Sequence, residues 1–431
     1  MDFNSALDYI SSFGRFGSRP GLERMQWVLE QLGHPEVGQR FIHIAGTNGK
    51  GSTTALIHNI LLAAGYRVGM FTSPYLESFT NRIGAGGEDI AADALVSLVE
   101  RLSPHFEAIN QSSMGPITQF EVTTLLALAY YQELGLDFIV WEVGLGGRLD
   151  ATNVVTPVVS VITNIGYDHT AVLGETLTQI ATEKAGIIKP GIPVVTAVEE
   201  GEPLAVIEKR AAELNAPLSR LNHEFTYRRK SFTLEEQRLD YADPHLKLDD
   251  LSIQLMGAHQ CKNAATALAV ISQLRQMGFA IDEKACREGL ATTHWPGRLE
   301  IMSRKPLILV DGAHNPHGTR ALRQALQEYF PGRKIYMVLG ILQDKERAEM
   351  LGHLLPLASR VTFAAPSYGR ATDPDLLLQE AAVHQVPAQT AASVMEAVDR
   401  AIDELAADEI LLIAGSLYTV AEAREHLKKL S

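Results

Sequence analysis

Phe41-Ile42-His43-Ile44-Ala45-Gly46-Thr47-Asn48-Gly49-Lys50-Gly51-Ser52-Thr53-Thr54 is the stretch on which the fold turns. Its first five residues are a short, mostly apolar run of the kind buried in a parallel sheet. They lead directly into a glycine-rich loop, and Thr53 to Leu62 then take up helical spacing. Strand, glycine loop, helix is the context of a phosphate-binding loop: glycines let backbone N–H groups converge, and the helix N-terminus adds partial positive charge. Lys50 supplies a mobile cation for the outer phosphates, and a hydroxyl at Ser52 or Thr53 can reach Mg²⁺. The strict Walker pattern is not met, because Ile44 stands at its first glycine and Gly51 separates Lys50 from Ser52. The flanking strand and helix nevertheless point to a nucleotide site rather than a glycine turn with a surface lysine.

The rest of the chain is read outward from this loop. A length of 431 residues implies at least two domains. Hydrophobic content of 46% with 21% charged residues is that of an ordinary globular protein. A net charge of −13 argues against nucleic acid or an anionic membrane surface as partner. Two cysteines, Cys261 and Cys286, provide no disulfide framework and read as helix-packing residues. The acidic MDFNSALDYI start does not read as a signal peptide, and no apolar run reaches membrane-spanning length. The expectation is a cytoplasmic protein.

Residues 1–40 read as two amphipathic helices broken by a loop from Gly14 to Gly21, whose arginines are placed to approach a nucleotide or simply to link helices. Tyr66 to Phe71 reads as a second strand ending at Thr72-Ser73-Pro74-Tyr75-Leu76, and ligands of open α/β sheets gather at such carboxyl ends. Helices are expected over 91–109 and 119–134. Asp137 to Val143 is a buried strand carrying Glu142, an acid that is costly there unless it is paired or holds a metal. A glycine-rich turn from Gly144 to Asn153 follows, and a strand from Pro157 to Ile165 ends in Gly166-Tyr167-Asp168-His169. A helix over 175–185 carries Lys184, a position at which lysines are usually solvated. Alternating residues between 219 and 256 suggest a small antiparallel β segment, and Gly257 opens a long Ala-rich helix. The Pro296-Gly297 break marks the domain boundary, giving units 1–296 and 297–431. In the second unit, strands from Leu307, Lys334, Val361 and Ile410 alternate with helices, with parallel pairing expected. Asp311 there could cap the following helix.

Seven motifs then combine in order: AGTNGKGS at 45–52, TSPYL at 72–76, WEVGLGGRLDATN at 141–153, NIGYDH at 164–169, EKAGIIK at 183–189, HWPGR at 294–298 and DGAHNP at 311–316. With them the chain resembles the folylpolyglutamate synthase family, including its bifunctional members that are also dihydrofolate synthases, within the Mur-ligase superfamily. The resemblance implies an α/β fold: a P-loop, Mur-ligase-like ATPase domain with a small β insertion, plus a C-terminal Rossmann-like domain that ligates glutamate. It implies ATP and Mg²⁺, with an additional monovalent cation and carbamylation of Lys184 as further family features. It places ATP on Gly49, Lys50, Gly51 and Ser52, with Asn263, Arg298 and Asp311 completing the nucleotide site. Ser73, Glu142 and His169 match the family's Mg²⁺ ligands. Lys50, Lys184, His169 and His314 carry the catalytic roles, and His314 and Ser416 face the glutamate side. Gln119, Phe120, Glu121, Arg82, Arg148 and Asp150 are the pteridine-pocket candidates, chosen for their rim position.

The implied substrates are ATP, L-glutamate and a reduced folate or dihydropteroate, and the implied state is a monomer. A sister Mur-type ligase acting on another carboxylate, such as a nucleotide-sugar peptide, is the alternative that the GTNGKGS and DATN details disfavour. A P-loop switch is disfavoured by the missing NKxD string and by the full second domain. Rotation of the second domain about Pro296-Gly297 onto bound ATP is a further expectation.

Overall fold

The computed structural model describes residues 1–14 and 21–430, so the arginine-bearing loop expected between the first two helices lies almost wholly outside the described residues. Three sheets organise the chain. The largest contains β1 (Phe41–Ala45), β2 (Val68–Phe71), β3 (Ile83–Ala85), β4 (Glu88–Asp89), β5 (Phe138–Glu142), β6 (Pro157–Ile162), β7 (Val194–Thr196) and β8 (Leu218–Arg220). Their order is β4-β3-β2-β5-β1-β6-β7-β8. β1 lies between β5 and β6, parallel to both, and is fully buried. The phosphate loop thus leaves the carboxyl edge in mid-sheet, where crossovers diverge to either side and leave a crevice.

The aromatic and branched residues of these strands build the core. Trp141 is fully buried against Phe71 and Phe41, with ring centroids 4.4 and 5.4 Å away. On the opposite face, Ile42, Ile44 and Val140 pack with the helix Lys50–Ala63 and the Ala-rich helix Ala258–Gln276.

The antiparallel β segment is present as β9 (Thr226–Phe232), β10 (Gln237–Ala242) and β11 (Lys247–Ile253). Leu239, Tyr241, Leu251 and Ile253 bury one of its faces in the core that includes Leu268 and Ile271. Residues 218–220, however, join the main sheet in parallel as β8.

The third sheet comprises β12 (Glu300–Arg304), β13 (Leu307–Asp311), β14 (Ile335–Leu339), β15 (Ala358–Phe363), β16 (Ala388–Thr390) and β17 (Ile410–Ala414), ordered β12-β13-β17-β14-β15-β16. The expectation of parallel pairing needs correction at its edge. β12 runs antiparallel to β13, because only Lys305 and Pro306 separate them and so short a link can form only a hairpin. β3 and β4 likewise add an antiparallel edge to the first sheet. Among the described residues, no helix is long and apolar enough to cross a membrane.

Candidate active site

The loop after β1 is shaped by its neighbours as much as by its own glycines. Gly49 has φ +81° and caps the helix Lys50–Ala63. A Cβ at Gly49 would lie 2.6 Å from Asn263 Oδ1, and one at Gly51 would lie 2.9 Å from Trp295 Nε1. Both glycines therefore answer to close approach by the Ala-rich helix and the HWPGR break. Asn48 N donates to Asn164 Oδ1 (2.8 Å), and Thr163 Oγ1 donates to Asn48 O (2.7 Å), tying the loop to the segment after β6. Thr53 Oγ1 is sealed in the interior without a hydrogen-bond partner, and Ser52 beside it is 2% exposed.

Two ammonium groups converge on one carbonyl. Lys50 Nζ donates to Gly46 O at 3.1 Å and to Thr47 O at 3.3 Å, while Lys184 Nζ donates to Gly46 O at 3.0 Å. Lys184 is buried, not solvated as expected of a lysine at a helix end. Burial, reinforced by the charge of Lys50, lowers its pKa to about 7.

Glu142 closes β5 and is buried; its Oε2 accepts from Ser73 N at 3.1 Å. Burial raises its carboxyl to about 7 against the opposing pull of Lys50, Ser73 N–H, Arg298 and Arg82. His169 stands in the left-handed region (φ +50°) at the start of a short helix. A hydroxyl, a buried carboxylate and an imidazole suit a hard cation whose remaining ligands are phosphate oxygens and water. Among the described residues, no group of three His, Cys, Asp or Glu side chains forms a closed metal cage.

Asp311 ends β13 and is buried; it accepts from Leu299 N (2.7 Å) and Ala313 N (2.8 Å). Burial raises its pKa and Arg298 opposes the shift. The expected helix cap at Asp311 is corrected: Asn315 caps Pro316–Tyr329, its Oδ1 accepting from Gly318 N at 2.8 Å, because the cap must sit directly before the helix.

Between the two large sheets lies a cavity of about 610 Å³. Arg82, Phe120, Glu121, Arg148 and Asp150 line it from one side, Lys345, Arg370, Ser416 and Tyr418 from the other, and Ser73, His169 and His314 also border it. Gln119 is the one pteridine-pocket candidate that does not line it. Several candidates are also structural. Glu121 bonds Arg24 (Nε–Oε1 3.0 Å) and Thr118 N (2.7 Å). Asp150 accepts from Leu145 N (2.7 Å) and Thr152 N (3.0 Å), and Arg148 pairs with Glu183 at 2.8 Å. Ser416 Oγ accepts from Thr419 N at 3.1 Å.

Sequence reasoning missed Asn48, Asp168, Asn315 and Lys345 as site residues, yet they meet at the heart of this junction. The first three stand inside quoted motifs, so a signal was present. Lys345 is a lone lysine in ILQDKE, with nothing local to mark it.

A model of the Mur ligase middle domain matches residues 44–271, and one of the Mur ligase glutamate ligase domain matches residues 297–417. The chain is 38% identical over 429 residues to the dihydrofolate synthase/folylpolyglutamate synthase of Bacillus subtilis, covering 99% of both chains. The chain belongs to the folylpolyglutamate synthase family. Its fold is that family's: Mycobacterium tuberculosis folylpolyglutamate synthase complexed with ADP matches with TM-score 0.93 at 32% identity, covering 99% of this chain and 98% of that one. A folylpolyglutamate synthase–AMPPCP–folate complex matches with TM-score 0.88 at 35% identity, covering 99% and 100%.

Proposed function

We propose that this member of the folylpolyglutamate synthase family is an ATP-dependent ligase that joins L-glutamate to a folate through an acyl phosphate. The observation that carries this reading is the junction of the two α/β units: Lys50 and Lys184 converge on the phosphate loop's Gly46 carbonyl, and Ser73, whose N–H binds the buried Glu142, borders a 610 Å³ cavity walled by both units. Its likeness to a relative solved with AMPPCP and folate supports it.

ATP lies on Gly49, Lys50, Gly51 and Ser52, with Asn263, Arg298 and Asp311 completing its site. A folate carboxylate oxygen attacks the γ-phosphorus, ADP leaves and an acyl phosphate forms. The α-amino group of glutamate then attacks the acyl carbon, phosphate departs, the amine loses a proton and the amide is made. The difficulty is electrostatic, since an anion must approach a triphosphate. Lys50 and Arg298 bring positive charge to that approach, and closure of the cleft excludes the water that would hydrolyse the intermediate. Ser73, Glu142 and His169 would hold Mg²⁺, which when bound neutralises phosphate charge and steadies the transferring group. Lys184, half neutral near pH 7, is set up to take CO₂ and become a carbamate. A monovalent cation is a further ligand in this reading. Phe120, Arg82 and Arg148 serve the pteridine side, and His314 and Ser416 the glutamate side.

The two catalytic units divide at 296/297, and the working protein is a cytoplasmic monomer. Addition of glutamate to dihydropteroate is a second activity, favoured by the paired name of the Bacillus subtilis relative. The test is phosphate release from Mg·ATP with L-glutamate, comparing dihydropteroate with a tetrahydrofolate as acceptor. Turnover with both marks a bifunctional enzyme, and turnover with the folate alone a tail extender. Turnover with neither sinks the folate reading in favour of a Mur-type ligase for another carboxylate.

A further inference from the structure

We infer that Asp168 is a positioning residue that docks Lys345 and His314 of the second α/β unit against the phosphate loop, assembling the glutamate side of the cleft. The inference rests on the ligase reading above and adds to it a residue that no part of that reading used.

Asp168 follows β6, and its side chain is 9% exposed. Its Oδ1 accepts from Lys345 Nζ at 2.7 Å, and its Oδ2 accepts from Asn315 Nδ2 at 3.0 Å. His314 Nε2 lies 3.8 Å from the same Oδ2. The partners Lys345, Asn315 and His314 all come from beyond the HWPGR break, so one carboxylate gathers three side chains across the junction. The network continues into the phosphate loop. Asn315 and Asn48 exchange amide hydrogen bonds, each 3.1 Å, and Asn48 is the residue before Gly49. The backbone of Asn48 is in turn held by Thr163 and Asn164.

The consequence follows from burial. Lys345 is 6% exposed, and its only other anionic partner among the described residues, Asp344, is 3.6 Å away. An ammonium so placed needs close pairing or it withdraws toward solvent. Asp168 supplies that pairing, while the Asn48–Asn315 pair ties the register to the loop that receives ATP. Lys345 and His314 both line the cavity, which no phosphate-loop residue lines, so their placement sets the glutamate side rather than the nucleotide side.

The test is steady-state kinetics of Asp168→Asn, Asp168→Glu and Lys345→Met, with the wild type in parallel. Asp168→Asn keeps an acceptor for Asn315 and removes the charge. We expect it to raise the KM for L-glutamate about tenfold or more, with the KM for ATP and the Mg²⁺ requirement unchanged. Asp168→Glu should restore part of the loss. The double variant Asp168→Asn/Lys345→Met should be no worse than the poorer of its two single variants, as expected of residues acting as one unit. A shifted Mg²⁺ requirement with an unchanged glutamate KM would overturn the inference by assigning Asp168 to His169 instead, and additive losses would overturn it as well. The same pair is also measured by thermal unfolding of the ADP-loaded protein, which needs no acceptor. Non-additivity is expected there too, and additivity would refute the docking role even if wild-type turnover had disproved the folate reading.

Discussion

Lys50 and Lys184 share the carbonyl of Gly46, and each proximity has a measurable consequence. Lys50→Ala removes the cation that the proposed mechanism sets against the transferred phosphoryl group, and turnover should fall by about 100-fold or more in a phosphate-release assay. For Lys184 the sign is set by its depressed pKa. The amine is neutral above about 7, and CO₂ adds only to the neutral form with loss of a proton. At a fixed concentration of dissolved CO₂, enzyme stripped of CO₂ should therefore regain activity faster above pH 7 than below it, and ¹³CO₂ should give a carbamate NMR signal lost in Lys184→Arg. Buried His43 and His58 act on stability. Burial lowers them from 6.5 to about 3 and about 4, so on acidification the unfolded chain takes up protons that the folded protein refuses. Stability should fall from pH 6.5 downward through that window, and the slope of thermal midpoint against pH should be shallower in His43→Gln.

At the scale of elements, the phosphate-loop helix is wedged between other helices with little slack. A Cβ at Gly289, on the helix Glu283–Thr292, would collide with the backbone of Ile60 and Asn59 on the helix Lys50–Ala63. Backbone cannot swing aside as a side chain can, so Gly289→Ala should destabilise by about 1–3 kcal/mol, read as a lower denaturation midpoint. The central elements were legible because their patterns are strong. β1 and β5 are short runs buried at every position, and the long helices 92–110 and 119–134 carry sustained apolar spacing. Two of the elements that escaped sequence reasoning are short and peripheral. β4 is two exposed residues, and β16 is three half-buried ones, so neither leaves a period to read. They exist because a neighbouring strand edge is there to be paired.

Across the whole molecule, the two α/β units meet through more than the catalytic junction. Arg424 is buried on the last helix, where its fork pairs with Glu300 at 2.7 Å through both Nε and Nη2 and its Nη1 pairs with Glu77. Glu77 belongs to the segment after Ser73, so this cluster braces a metal-ligand candidate against the second unit. Both carboxylates are partly exposed, so Arg424→Met should cost about 1–3 kcal/mol rather than the larger penalty of a fully buried pair. Chemical denaturation measures that loss. On the opposite flank, Arg229 of β9 pairs with Glu328 at 2.6 Å, so the antiparallel insertion also touches the second unit. If the second unit rotates about Pro296-Gly297, small-angle scattering should show compaction when nucleotide and folate are added together.

The sequence by itself determined the strand–loop–helix of the phosphate loop, the α/β class and the family, because these rest on residues adjacent in the chain: glycines beside Lys50, an acid inside an apolar strand, motifs in fixed order. It also named part of the cavity's lining, since strand ends collect at one edge of a parallel sheet whatever the details. Only the tertiary structure decided which charges are partnered. Lys184 is buried with its ammonium on the Gly46 carbonyl, 138 positions away, and Glu121 is committed to Arg24, 97 positions away. Asp168 finds Lys345 177 positions on. Such pairings depend on distance in space, and no local pattern encodes them.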